Sequence, residues 1–296
     1  MSDLCLFCFG FGYTARALAD RIVTNGARLT GTTTSADKAN AMAKAGVTAR
    51  IWRGDEFAPS WLDDANALLI SVPPGDEGCP AYIAAHKAIA DRHGQWRWIG
   101  YLSTNGVYGD HDGAGVDEAS PMRATTERAK RRITAEQQWL DLAARSNLPI
   151  SVFRLPGIYG PGRSAIDTVL AGKARRIFKE GQVFNRMHVA DIAAVLEAAI
   201  KQPRLHNIYN LADDEPSPPQ DVIEYASGLL DRPVPPLLPI EEVEMTPMAR
   251  SFYADNKRIS NQRIKDAFGI SLQFPTYREG LKAIVDTMTG DNRGTK

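Results

Sequence analysis

The chain has 296 residues, 44% of them hydrophobic, and sets 35 Lys plus Arg against 35 Asp plus Glu. That length holds about two domains and that apolar content a large core, while the balanced charge offers no field for nucleic acid or an anionic membrane. The longest apolar runs, such as Ala67 to Pro74, fall far short of the roughly 18 residues of a membrane span; the N-terminus lacks a basic segment, apolar stretch and small-residue cleavage site, so the expected location is the cytoplasm.

Leu4 to Phe9 is unbroken hydrophobic, the pattern of a parallel strand covered on both faces. Cys5 and Cys8 have the spacing of a redox pair, but no helix N-terminus is there to lower a thiol pKa. Residues three apart on a strand also point to opposite faces, so these thiols read as buried and structural. Gly10-Phe11-Gly12-Tyr13-Thr14-Ala15 follows at once. Gly10 and Gly12 allow a tight turn and close approach of backbone to a pyrophosphate, and Ala15 is small enough for helix to pack on strand. The coming helix would offer free N–H groups and the positive end of its dipole. A dinucleotide is the expected ligand; a structural turn or another nucleoside such as S-adenosylmethionine is the alternative.

That helix carries Ala15, Leu18, Ala19 and Ile22 at helical spacing and stops at Asn25-Gly26. A second strand spans about Arg28 to Thr33, followed by a helix with Ala39, Met42 and Ala43 and a third strand near Ala49 to Trp52. NAD binders place an acidic residue at the end of the second strand for the ribose hydroxyls. Here stand Thr32, Thr33, Thr34 and Ser35, with Lys38 close behind. Hydroxyls and a cation suit a 2′-phosphate, so the expected cofactor is NADP rather than NAD; the plain alternative is a capping run before a helix. The fourth strand, Ala67 to Val72, ends in Pro73-Pro74, so that Val72, Pro73 and Pro74 make a rigid apolar shelf for an adenosine or simply terminate the strand.

A helix around Ala81 to His93, a fifth strand from Trp96 to Ser103, a helix from Glu127 to Ser146 and a sixth strand from Ile150 to Leu155 complete the rhythm. Such repeats predict an α/β fold with a doubly wound parallel sheet and right-handed crossovers. Gly157 to Arg163 then reads as a loop, His188 to Ile200 as a helix and His206 to Leu211 as a last strand. The turn-rich Asp213 to Pro219 caps a new helix, Pro233 to Pro239 must be extended, and Gly290 to Lys296 predicts a frayed end. The expected division is a nucleotide-binding domain over 1–212 and a smaller C-terminal α/β substrate lobe over 213–296, helped by residues 157–185.

Three segments carry a family resemblance: Tyr101-Leu102-Ser103-Thr104-Asn105-Gly106-Val107-Tyr108-Gly109-Asp110, Arg154-Leu155-Pro156-Gly157-Ile158-Tyr159-Gly160-Pro161-Gly162-Arg163, and Arg186-Met187-His188-Val189-Ala190-Asp191-Ile192-Ala193. Together with the glycine loop they resemble the extended short-chain dehydrogenases/reductases, the group of nucleotide-sugar epimerases and dehydratases. The resemblance implies a Rossmann-type domain, NAD or NADP with contacts from Ser103 and Pro156, and Thr104 as the hydroxyl that bonds a substrate oxygen. It also implies a homodimer, since many relatives pair through the helices that here carry Arg128 and the segment after Pro80.

The resemblance breaks at its chemistry. The family's Tyr and Lys, counted back from Glu136-Gln137, fall on Arg128 and Arg132, and a guanidinium passes no proton at neutral pH. Phe9 likewise stands where the family's first loop Gly belongs, departures that resemble the atypical members. Arg128 and Arg132 share a helical face and could clamp a carboxylate or phosphate, or else belong to a solvated basic face with Lys130 and Arg131. The proton would come from Tyr108, Tyr159, water or the substrate, with Tyr159 and Arg186 as further substrate contacts. Tyr253 and Lys257 have the spacing of the missing pair but follow the proline-rich stretch and are set aside. His188 finds no second ligand at metal spacing. Two readings follow: an oxidoreductase, epimerase or dehydratase acting on a small polar or anionic substrate, and a non-catalytic sensor of NAD(P)(H).

Overall fold

The computed structural model describes residues 2–203 and 207–291. In chain order its elements are β1 (Cys5–Phe9), α1 (Tyr13–Ile22), β2 (Arg28–Thr33), α2 (Ala36–Lys44), β3 (Thr48–Ile51), β4 (Ala67–Ile70), α3 (Pro80–Ala90), β5 (Trp98–Thr104), β6 (Gly115–Val116), α4 (Glu127–Ser146) and β7 (Ile150–Leu155). Then follow β8 (Gly157–Tyr159), α5 (Ala165–Leu170), β9 (Arg176–Phe178), β10 (Arg186–His188), α6 (Val189–Lys201), β11 (Asn207–Asn210), α7 (Pro219–Leu229), β12 (Leu237–Pro239), α8 (Pro247–Phe252), β13 (Arg258–Ile259), α9 (Gln262–Phe268) and α10 (Tyr277–Asp291). No helix among the described residues is long and apolar enough to cross a membrane. His206 and the end of the segment read as frayed lie outside the described residues.

Two compact units emerge: Met1–Val107 with Thr125–Arg154 and Ile192–Tyr209, and Tyr108–Ala124 with Leu155–Asp191 and Asn210–Lys296. Seven described strands form the main sheet in the order β11-β7-β5-β4-β1-β2-β3, with β1–β2, β2–β3, β1–β4 and β4–β5 parallel. The chain lays β2 and β3 on one side of β1 and returns to place β4 and β5 on the other. Strand order therefore reverses at β1, which opens a crevice beyond the carboxyl ends of β1 and β4.

In the first unit β1 is buried throughout, as its unbroken apolar run predicts. Phe7, Phe9, Leu68, Ile70, Ile99 and Tyr101 join Ala81, Ala85 and Ile89 of α3 and Trp139 and Leu142 of α4 in one cluster. Cys5, Cys8 and Cys79 are free and buried, and burial pushes the Cys8 thiol up to about 12. Helix α4 has the expected bounds because both ends are capped: Thr126 Oγ1 accepts from Ala129 N at 3.2 Å, and Asn147 takes a left-handed φ of 48°. The fifth strand starts two residues later than its apolar run. The Trp96 indole stays behind to donate Nε1–H to Ile89 O at 2.9 Å.

The second unit pairs β8 with β10, β9 with β12 and β6 with β13, all parallel. Gly157 to Arg163 thus opens with a strand rather than being all loop, and the proline-rich stretch ends in one; both partners lie far along the chain, beyond the reach of a local pattern. Tyr159, Ile166, Val222, Ala226, Tyr277 and Leu281 form its core. His188 is buried, its Nδ1 accepting from Ala190 N at 3.2 Å, with ring centroids of Tyr159 at 5.1 Å and Phe274 at 4.2 Å. Burial pulls its pKa from the ordinary 6.5 down to about 4.

Truncation of the wholly buried Trp139 to Ala should cost about 3–5 kcal/mol, read from denaturant unfolding. The unfolded chain protonates His188 near pH 6.5 and the folded chain only near 4, so unfolding takes up a proton in that window and stability falls on acidification. The thermal midpoint of His188→Gln should be flatter over the same range.

Candidate functional site

The glycine loop leaves β1 at the reversal of strand order and is tied to β2. Gly10 N donates to Thr32 Oγ1 at 2.8 Å and Phe11 N to Thr32 O at 2.9 Å. Gly10 has φ +85°, and a Cβ there would lie 2.9 Å from Val72 Cγ1, so both the backbone and the neighbouring strand end demand glycine. That contact brings Val72, ahead of Pro73 and Pro74, against the loop. The Phe11 ring turns back over Gly31, where a Cβ would approach its Cδ2 to 2.8 Å.

Gly12 is different. It is the N-cap of α1 with φ −93° and ψ −160°, extended backbone open to any residue, and a Cβ there meets nothing within 4 Å. No side chain caps the helix, so Tyr13, Thr14 and Ala15 begin it without a side-chain acceptor at its positive end. Thr14 and Ala15 are buried and pack the first turn onto the sheet.

At the end of β2 the hydroxyls are partly spent on the turn. Thr33 Oγ1 accepts from Ser35 N at 3.4 Å, and Ser35 Oγ caps α2 by accepting from Lys38 N at 3.5 Å. Thr34 and the Lys38 side chain are exposed, and residues 33–35 include no carboxylate. The capping reading of this run is therefore realised, with hydroxyl protons still available to donate.

Beside this crevice, β5 ends in Ser103 and Thr104. Thr104 is half-buried, with Oγ1 accepting from Gly106 N at 3.2 Å. Ser103, expected on the cofactor, faces inward instead: its hydroxyl donates to Glu136 Oε1, because alternation along the strand turns it toward α4. Arg154 Nη2 meets the same carboxylate at 2.8 Å with both partners almost wholly buried. The sequence reading missed this trio, although an Arg in the middle of the apolar run Ile150 to Leu155 signals a buried partner.

The two arginines do not make a matched clamp. Arg132 Nη1 donates to Leu102 O at 2.9 Å and to Tyr101 Oη at 3.2 Å, anchoring α4 to β5, whereas Arg128 is exposed. Burial holds the Tyr101 phenol above its ordinary pKa.

In the second unit, Tyr108 is not open to a loop cleft. It is fully buried and its hydroxyl donates to Asn210 Oδ1 at 2.7 Å. Tyr159 is also buried and donates to Thr276 O at 3.3 Å, and burial raises its pKa. Pro156 is half-buried between β7 and β8. Arg186 has its Cζ 5.6 Å from the Tyr277 ring centroid and its Nη1 buried without a hydrogen-bond partner; Asp213 Oδ2 is in the same condition. Lys257 Nζ donates to Gly109 O at 2.7 Å, so the Tyr253–Lys257 spacing serves structure. Among the described residues no three His, Cys, Asp or Glu side chains gather as a metal site.

Comparison with known proteins agrees with this architecture. The NAD dependent epimerase/dehydratase family matches residues 87–212. Protein YeeZ of Escherichia coli K12 is 29% identical over 219 residues, 68% of this chain and 75% of its own. A conserved protein of unknown function from Silicibacter pomeroyi is 47% identical, covers 96% of this chain and 99% of its own, and superposes with a TM-score of 0.89. The dTDP-glucose 4,6-dehydratase of Bacillus anthracis, solved with NAD, shares the fold at 14% identity, with a TM-score of 0.76 and 98% of each chain covered. With the glycine loop at the strand reversal and the three motif segments in order, the chain is similar over residues 87–212 to the NAD dependent epimerase/dehydratase family and has the Rossmann-type α/β fold of these structural neighbours.

Proposed function

We propose that the chain is an NAD(P)-dependent oxidoreductase of epimerase or dehydratase type, acting on a small polar substrate, with the dinucleotide held by the unit that carries the glycine loop. One observation carries this. Gly12 is required neither by its backbone angles nor by any neighbour, and helix α1 would gain from an Asn, Ser or Asp in its place. A residue without a side chain at the positive end of a helix is explained by something outside the chain lying there, and a pyrophosphate fits that charge and closeness. Gly12, Tyr13, Thr14 and Ala15 would receive it, Val72, Pro73 and Pro74 would shelve the adenosine, and the bound nicotinamide would supply the hydride donor or acceptor.

The finer reading is a preference for NADP. Support comes from the exposed Thr34 and Lys38 and from the absence of a carboxylate at residues 33–35, where one would repel a 2′-phosphate. Thr104 would polarise a substrate oxygen. With Tyr108 and Tyr159 each already donating within the protein, and neither Arg128 nor Arg132 able to release a proton, water or the substrate itself is left to supply it. The anchoring of Arg132 on β5 also supports a second reading, a sensor that binds the dinucleotide without turnover.

Gly12→Val should leave the unfolding midpoint within about 0.5 kcal/mol of wild type in free energy, while NADPH binding, followed by its fluorescence, is lost. Unchanged affinity would remove the glycine loop from the site. Titrated side by side, NADPH should bind more tightly than NADH, and Lys38→Glu should reverse or erase the difference.

A further inference from the structure

In the first unit the segment joining β4 to α3 has one end fixed by the sheet and the other by a helix. Ser71 N donates to Phe9 O at 2.8 Å, and Val72 lies against Gly10. Pro73 and Pro74 follow, and neither has an N–H with which to anchor itself. Where this proline pair lies is therefore decided by what holds its far end.

That far end is a hairpin, Gly75 to Gly78, closed by Gly75 N donating to Gly78 O at 2.8 Å and Gly78 N to Gly75 O at 3.3 Å. Helix α4 grips it with Arg131 and Gln138, two turns apart on one face with the small Ala135 between them. Arg131 pairs with Asp76. Gln138 spans the hairpin's exit: its Oε1 accepts from Cys79 N at 2.9 Å and its Nε2 donates to Glu77 O at 3.0 Å. Gly78, at φ +103°, lies between those two bonds, and a Cβ there would run into the Gln138 amide. The side chain spends a donor and an acceptor on one short stretch of backbone, and that backbone admits only glycine.

The two contacts are unequal. Arg131 and Asp76 are 43% and 81% exposed, and a pair so open to water and salt holds weakly. The Gln138 bond to Cys79 is half-buried and made to backbone, so the larger share of the hold falls to Gln138.

We propose that Gln138, with Arg131 in a lesser part, is a positioning residue for the dinucleotide: by holding the hairpin it keeps Val72, Pro73 and Pro74 set beside the glycine loop before a nucleotide arrives. This rests on the dinucleotide reading and deepens it. A shelf already in place spares the ligand the cost of ordering it, which is expressed as tighter binding and slower release with no contact between Gln138 and the nucleotide.

Stopped-flow displacement of bound NADPH from the full chain, followed by its fluorescence, tests the assignment. Gln138→Met, of similar size but without the two bonds, should speed release and raise the Kd about ten-fold, the equivalent of about 1.4 kcal/mol. Arg131→Ala should raise it less than about three-fold, as befits an exposed pair. Gln137→Met, one position away with its amide bonded to Asp141 on the same helix, should release NADPH at the wild-type rate. In the ligand-free protein, amide hydrogen exchange over residues 75–79 should quicken in Gln138→Met and slow again once NADPH is bound. Should circular dichroism show Gln138→Met unfolded, Gly78→Ala breaks the same contact from the loop side and is expected to weaken NADPH to the same degree. Unchanged release from the folded variant, an equal loss in Gln137→Met, or faster release with hairpin exchange unaltered would each overturn the positioning role. A wild-type chain that binds no NADPH would instead sink the dinucleotide reading, and this role with it.

Discussion

A single hydroxyl fixes the geometry on which the nucleotide end of this protein depends. Thr32, buried at the end of β2, takes the Gly10 amide on its side chain and the Phe11 amide on its carbonyl. With those two donors consumed, the loop has one path into α1, and the amides that follow are delivered to the mouth of the crevice. The same strand end leaves no room for improvisation, since Gly31 lies beneath the Phe11 ring. Register in the sheet, loop conformation and helix position are thus set together by residues outside the glycine motif itself.

Beneath the neighbouring strand a second device works in the opposite sense. Ser103, Glu136 and Arg154 bring a hydroxyl, a carboxylate and a guanidinium into the interior, where a bare charge would be intolerable and a mutually satisfied set is not. It holds the end of β5 against α4 and so sets the place of Thr104. Arg132 adds a tie from the same helix to the Leu102 carbonyl. Where the resembling family carries acid and base, this helix carries the anchor Arg132 and the exposed Arg128.

What could be read from the residues followed physical range. The apolar run before Gly10, the capped helix from Glu127 and the strand–helix alternation are local signals, and the sheet follows from them. The short pairs β8–β10 and β9–β12 join segments distant in the chain, so Gly157 and Leu237 gave no local sign of being in strands. Side-chain direction was equally hidden at Ser103, where one step along the strand decides between cofactor and interior, and at Tyr108, whose loop position suggested access. Asp213 stood in a turn-rich, acidic, proline-containing segment that looks like surface, yet it is among the most buried carboxyls of the chain. Nothing in the spacing marks it.

The pairing of Glu136 with Arg154 also constrains how this sequence can drift. Losing either partner alone strands the other's charge in a dry interior, at about 3–5 kcal/mol, a large share of a typical domain's total stability. Neutral divergence at one position is therefore blocked until the other changes with it. Among descendants of a common ancestor the two sites should either persist together or be exchanged together for an apolar couple, and a chain carrying only half of the pair should be rare.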